Sequence, residues 1–272
     1  MFCATHGSEY LVVLRSLLLV PTDPAQTQPA APANRPLIRF PRRKVSRLLT
    51  TALVRINEGP DAVMRYLFTQ LPLEPFTILR AYSSGFFPIP AEDGRILWHD
   101  PEERALVPIH DFKTWRDTRA LIRYGDYEVR LNTAFRQVME KCASAERKND
   151  SNWITPPIIE AYTALHELGA AHSFEVWQNG QLVAGTYGVT LGAYFAGEST
   201  FYTVDNMGKV AMYFACQSLK ESGFLLHDAQ YLNPGLVAIG AYSVPRAAFK
   251  QQLAKALATP VVLRLAKTVP TT

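Results

Sequence analysis

The chain has 272 residues, 48% of them hydrophobic and 19% charged, with a formal net charge of +4. That balance excludes a wholly disordered chain, and the length holds one large domain or two modest ones rather than a long repeat array. Residues 1–50 carry seven basic side chains against Glu9 and Asp23, so the remaining 222 sum to −1, which excludes a non-specific polyanion binder while leaving room for a local basic face.

The apolar stretch 10–20 is split by Arg15 and falls short of the ~20 residues a membrane span needs, and no basic segment precedes it as in a signal peptide. Residues 21–41 shift to Pro, Ala, Gln and Thr, which cannot bury enough apolar surface to fold. Residues 1–45 therefore read as a disordered or targeting-like extension. Cys3, Cys142 and Cys216 are too widely spaced for a disulfide framework or a zinc ligand set. A reducing, cytoplasmic setting fits them.

Apolar residues at helical spacing over 48–70 and a shorter helix over 76–84, closed by Gly85, make a small N-terminal helical domain over 46–94. Proline breaks and Trp98 over 95–108 predict strand and loop. A helix over 112–124 would carry Lys113, Arg116, Arg119 and Arg123 on one face, which by itself reads as a solvated surface. Pro156 and Pro157 open a helix stopped at Gly169. A strand over 171–177, the Asn179-Gly180 hairpin signal and a return strand over 181–190 follow. A third strand spans 193–199, a helix 205–222, a strand 224–230, and a last helix runs from Pro245 to near Leu257. The order predicts an α+β layer fold, with a tail over 261–272.

In the 224–230 strand, alternation puts Leu226, Asp228 and Gln230 on one face and His227 on the other. The acid and amide either converge on a reacting centre or Asp228 caps the loop before Pro234-Gly235; both readings stand. Glu198, in an apolar strand end, must be satisfied by a partner or used. His172 reads as a hydrogen-bonded structural histidine, so no metal site is expected. No nucleophile elbow or phosphate loop is present.

The blocks Leu79-Arg80-Ala81-Tyr82, Ser83-Ser84-Gly85-Phe86-Phe87-Pro88, Ile96-Leu97-Trp98, Trp153-Ile154, His172-Ser173 to Trp177, Gly197-Glu198-Ser199, Asp228 to Gln230 and Pro245-Arg246 occur in one order. Jointly they resemble the leucyl/phenylalanyl-tRNA–protein transferase family. The resemblance implies transfer of Leu, Phe or Met from aminoacyl-tRNA to the α-amine of proteins beginning with Arg or Lys, marking them for degradation. It implies an acetyltransferase-like (GNAT-like) fold over 95–260, a cytoplasmic monomer, no membrane partner and no cofactor. Asp228 would hold the acceptor amine and draw off its proton, directly or through Gln230, and Glu198 would bind the cationic acceptor or support that network. Phe195, Ser199, Phe201 and Asn233 would line the same pocket. Tyr82, Trp98 and Trp153 would contact the tRNA end or the carried side chain. With the resemblance in hand, Lys113, Arg116, Arg119 and Arg123 become acceptor-stem phosphate contacts.

Ile89 stands where the family usually has Trp, Thr200 where it has Met, and Ala229 where it has Cys, so the pocket-shaping positions have changed. Two rival readings are an acetyl-CoA-dependent N-acetyltransferase and a non-catalytic module binding tRNA or N-terminal peptides. The first wants a glycine-rich pyrophosphate loop, and Val204-Asp205-Asn206-Met207-Gly208-Lys209 stands in its place. Retention of Asp228, Gln230 and Glu198 speaks against the second.

Overall fold

The computed structural model describes residues 59–145 and 153–266. The expected extension over 1–45 with its 21–41 linker, the first part of the 48–70 helix and the end of the tail at 267–272 lie outside the described residues. Within the 48–70 stretch, helix α1 (Pro60–Thr69) opens on a proline, whose fixed φ suits a first helical turn. Helix α2 (Pro75–Ser83) opens the same way and gives out before Gly85, which takes a φ of 87° that other residues rarely adopt. Strands β1 (Phe87–Pro90) and β2 (Ile96–His99) pair antiparallel. Phe68 of α1 packs its ring against Phe86 and Trp98, at 5.8 and 5.6 Å between centroids.

Seven strands form the main sheet: β3 (Glu103–Val107), β4 (Glu128–Leu131), β5 (Ala171–Gln178), β6 (Gln181–Leu191), β7 (Tyr194–Tyr202), β8 (Leu226–Gln230) and β9 (Tyr242–Pro245). Their order is β4-β5-β6-β7-β8-β3-β9; β7 and β8 run parallel, and the other neighbours antiparallel. The β5–β6 hairpin turns at Asn179 and Gly180 with φ 50° and 73°, the left-handed pair that a type I′ turn requires. The third predicted strand runs three residues beyond its expected end, to Tyr202.

The helix expected over 112–124 is not one element. A 3₁₀ turn (Arg116–Thr118) leads into a six-residue helix α3 (Arg119–Tyr124), and Trp115 before them is extended. Tertiary contacts override the helical pattern here. The Lys113 N–H donates to the Ile239 carbonyl at 3.0 Å, and the Phe112 ring packs edge-on against Trp115 and tilted against Tyr213.

Helices α4 (Phe135–Ser144), α5 (Pro156–Glu167), α6 (Met207–Ser222), the short α7 (Pro234–Ala238) and α8 (Arg246–Leu257) complete the fold. Val210, Ala211 and Phe214 of α6 pack with Val176, Val183 and Ala184 of the sheet. A second core joins Val138 and Met139 of α4, Ile158 and Leu165 of α5 and Phe249 of α8 with Tyr187 and Val189. The α+β class is as expected, with helices packed on a mixed sheet.

Candidate active site

Strands β7 and β8 pair from Tyr194↔Leu226 to Ala196↔Asp228 and then part, although β7 continues to Tyr202 and β8 to Gln230. A β-bulge sits just beyond the split on each strand. On β7, Gly197 and Ser199 face Gly188 and Tyr187, leaving Glu198 as the extra residue. On β8, Asp228 and Gln230 face Leu106 and Ala105, leaving Ala229 as the extra one. Bulges re-aim side chains that strict alternation would send elsewhere. Gln230 turns further through a φ of 58°. Glycine at 188 is required, because a Cβ there would lie 2.3 Å from the Ala196 carbonyl oxygen.

Behind the split lies a cavity of about 280 Å³ whose lining includes Glu198, Gln230, Phe195, Ser199, Asn233 and His227. Gln230 Nε2 donates to Glu198 Oε1 at 3.2 Å, bridging the two strand ends. The buried Tyr82 hydroxyl donates to the same oxygen at 2.6 Å and shares a 2.7 Å bond with the Tyr162 hydroxyl. Burial pushes the Glu198 carboxyl up to about 8, with the Asp228 charge adding to the rise and the Tyr82 hydroxyl and Arg104 opposing it. A carboxyl in that range can trade a proton near neutral pH. Tyr82 and Tyr162 are held well above the ordinary phenol value, first by burial and then by the Glu198 charge.

Asp228 does not reach the cavity with its carboxylate. It is completely buried, and strand alternation points it away from His227. Arg104 Nε and Nη2 donate to its two oxygens at 2.8 and 2.6 Å, Tyr194 Oη donates at 2.7 Å and the Gln230 backbone N–H at 2.9 Å. Neither Arg104 nor Tyr194 lines the cavity, so the Asp228 carboxylate is not on the cavity wall, and its nearest link to the cavity is the Gln230 backbone. Asp228 also caps the strand end by accepting the Gln230 N–H, while the helix at Pro234 has its own cap, Asn233 Oδ1, which accepts the Leu236 N–H at 3.0 Å.

Packing takes Phe201 and Tyr82 off the cavity wall, while Trp98 borders a separate groove of about 480 Å³ between α1 and β2. Phe201 is buried in the core cluster, its ring near Gly185 and under Lys141, and does not line the cavity. Trp98 is 3% exposed against Phe68, and Trp153 packs half-buried on the same core. Tyr82 supports Glu198 from behind rather than touching the cavity. The four basic residues are brought together by a different route from the one expected: Lys113, Arg116, Arg119 and Arg123, all exposed, line one groove of about 850 Å³ with Trp115 and Tyr124.

Against this geometry stand the comparisons with known proteins. Residues 72–102 match the leucyl/phenylalanyl-tRNA protein transferase N-terminal domain, and residues 106–254 match leucyl/phenylalanyl-tRNA protein transferase itself. The chain belongs to the leucyl/phenylalanyl-tRNA–protein transferase family. A family member from Herpetosiphon aurantiacus is 41% identical over 68% of this chain and 95% of its own length. Another, from Salinibacter ruber, is 44% identical over 68% of this chain and 80% of its own. Among solved structures, L-PGS from Bacillus licheniformis overlays 60% of this chain and 52% of its own at 14% identity and a TM-score of 0.32. A GCN5-related N-acetyltransferase-like protein from Streptococcus suis overlays 59% and 57% at 14% identity and a TM-score of 0.26.

As a member of this transferase family the chain is an enzyme, and its site contains groups that sequence reading missed. Arg104 carries the largest side chain among the fully buried residues and lies between the Phe87 and Phe249 rings, at 4.6 and 4.4 Å. Its one sequence signal was a basic residue leading the apolar run Ala105-Leu106-Val107. Tyr162 and Tyr194 gave no signal beyond core spacing. Among the described residues, no group of three or more His, Cys, Asp or Glu could hold a metal ion, and no helix is long and apolar enough to cross a membrane.

Proposed function

We propose that this chain moves an aminoacyl group from aminoacyl-tRNA to the N-terminal α-amine of a protein, with proteins beginning with Arg or Lys as acceptors. Its relatives are named for leucyl and phenylalanyl groups, and the sequence resemblance adds methionyl. The observation that carries the reading is the Glu198–Gln230 pair on the wall of a cavity beside parted strands.

The ester of a charged tRNA is already activated, so the enzyme has to position a neutral amine and take its proton. An α-amine titrates near 7.7–8.0, close to the value of about 8 that burial gives Glu198. Attack forms the N–C bond, the amine proton passes to the Glu198 carboxylate, and the breaking C–O bond leaves the terminal ribose hydroxyl, reprotonated from the same carboxyl. The Gln230 amide steers the amine while Asp228, held by Arg104, fixes the Gln230 backbone. Positioning of this kind is worth up to roughly 7–11 kcal/mol of barrier.

The basic groove supports an acceptor-stem contact. Tyr213 and Ala238 border it, while Met212 and Leu236 border the cavity, so α6 and α7 separate the two.

Incubation with labelled Leu-tRNA or Phe-tRNA and a peptide beginning with Arg tests it. Label is expected in the peptide at its α-amine. Binding of charged tRNA with no label transferred to any acceptor refutes the reading.

A further inference from the structure

The cavity behind Glu198 and Gln230 is not lined as a hydrocarbon pocket. Thr186 of β6 lies directly opposite Thr200 of β7, and the Thr200 hydroxyl donates to Thr186 Oγ1 at 2.9 Å, which in turn donates to the Ser199 carbonyl at 3.1 Å. Each hydroxyl proton is thus committed, and Thr200 Oγ1 offers the cavity a lone pair. Across from them His227, 2% exposed, sets its ring edge-on to Phe195. Its Nε2 points toward Gly197, 3.0 Å from where a Cβ on that glycine would sit.

The other ring nitrogen of His227, Nδ1, lies 3.8 Å from Cys216 Sγ. Burial keeps the Cys216 thiol protonated and drops His227 to about 4, so the ring is neutral. A thiol that gives its hydrogen to Nδ1 leaves the ring proton on Nε2. In the tautomer that accepts the thiol hydrogen, the wall presents one donor, His227 Nε2–H, and one acceptor, Thr200 Oγ1, with Ala215 lining the same chamber.

A purely hydrocarbon side chain entering there would strip water from both groups and replace none of their hydrogen bonds. We propose that this cavity receives the side chain of the transferred aminoacyl group and selects one ending in an uncharged hydroxyl or amide, with His227 and Thr200 as the residues that read it. The inference rests on the aminoacyl-transfer reading above.

The test charges one tRNA body in turn with Phe, Tyr, Leu and Gln, and compares kcat/KM for transfer to the same Arg-initiated peptide. Phe and Tyr differ by one hydroxyl. The expected result is a preference for Tyr over Phe and Gln over Leu of about tenfold or more, lost or reversed in His227→Leu and in Thr200→Val. The two variants are separate, so misfolding of one leaves the other informative. Phe and Leu transferred as well as or better than Tyr and Gln by the wild type would overturn the inference while leaving the aminoacyl-transfer reading intact. Transfer of none of the four would overturn that reading first.

Discussion

Arg104 closes on both oxygens of Asp228 with 1% of its own side chain and none of the aspartate's exposed. A pair this deep is costly to break from one side, because the remaining charge has no water to turn to. Asp228→Ala is therefore expected to lose about 3–5 kcal/mol of stability, read as a fall in the urea midpoint, before its effect on catalysis is considered. Replacing both partners by leucine should recover part of that stability and none of the transfer activity. An Asp228→Ala protein with the wild-type urea midpoint would show that the pair does not hold the site.

Glu198 is placed differently, with Tyr82 and Gln230 both ending on Oε1 and the residue only partly buried. Glutamine at this position keeps an acceptor for Tyr82 but cannot take a proton. Glu198→Gln should lower kcat by roughly 10²–10⁴ and leave the affinity for aminoacyl-tRNA within about twofold, as measured by filter binding beside single-turnover transfer. In the wild type the single-turnover rate at saturating acceptor should climb with pH through about 8. A Glu198→Gln enzyme with the same rate and the same climb would remove this carboxyl from the proton path.

How far the sequence led can be judged from β7 and β8. Punctuation by Pro, Gly and Asn-Gly marked the elements from Pro156 to Ser222 because each of those residues has a local conformational cause, as at Asn179-Gly180, but it gave no sign of α7 or β9. Alternation set His227 opposite Asp228 and left the role of the acid open, and the resemblance placed it at the amine; nothing local announces a bulge at Ala229 or a partner 124 residues away at Arg104. Gln230 reached the cavity only through that bulge and its left-handed backbone. The 112–124 stretch failed for a related reason. Its helical pattern is real, but Phe112 and Trp115 gain more by packing beside α6 and α7 than by joining a helix.

The basic groove makes a separate prediction about salt. Lys113, Arg116, Arg119 and Arg123 are exposed around one concavity, so each phosphate they neutralise releases counterions on binding. Removing Arg116 and Arg119 together should flatten the plot of log affinity for tRNA against log salt by about 0.7–0.9 for every phosphate left without its arginine, with the single-turnover rate at saturating tRNA unchanged. An unaltered slope would return the four residues to a solvated surface.

The raised Glu198 carboxyl also makes a prediction about stability, independent of any substrate. Its folded value of about 8 lies above the ordinary 4.5, so between those limits the folded chain holds a proton that the unfolded chain has released. Stability follows the difference in bound protons and must therefore fall as pH rises through this window, being unaffected below about 4.5 and fully reduced above about 8. The slope is at most roughly 1.4 kcal/mol per pH unit, and less where cavity water screens the charge. Glu198→Gln lacks the titration. Its urea-derived stability relative to wild type should rise steadily from pH 4.5 to 8 and then level off, while contributions from every other group cancel in the comparison. A difference that stays flat across that range would mean that Glu198 ionises at its ordinary value, and with it would go the match to the acceptor amine on which the proton transfer depends.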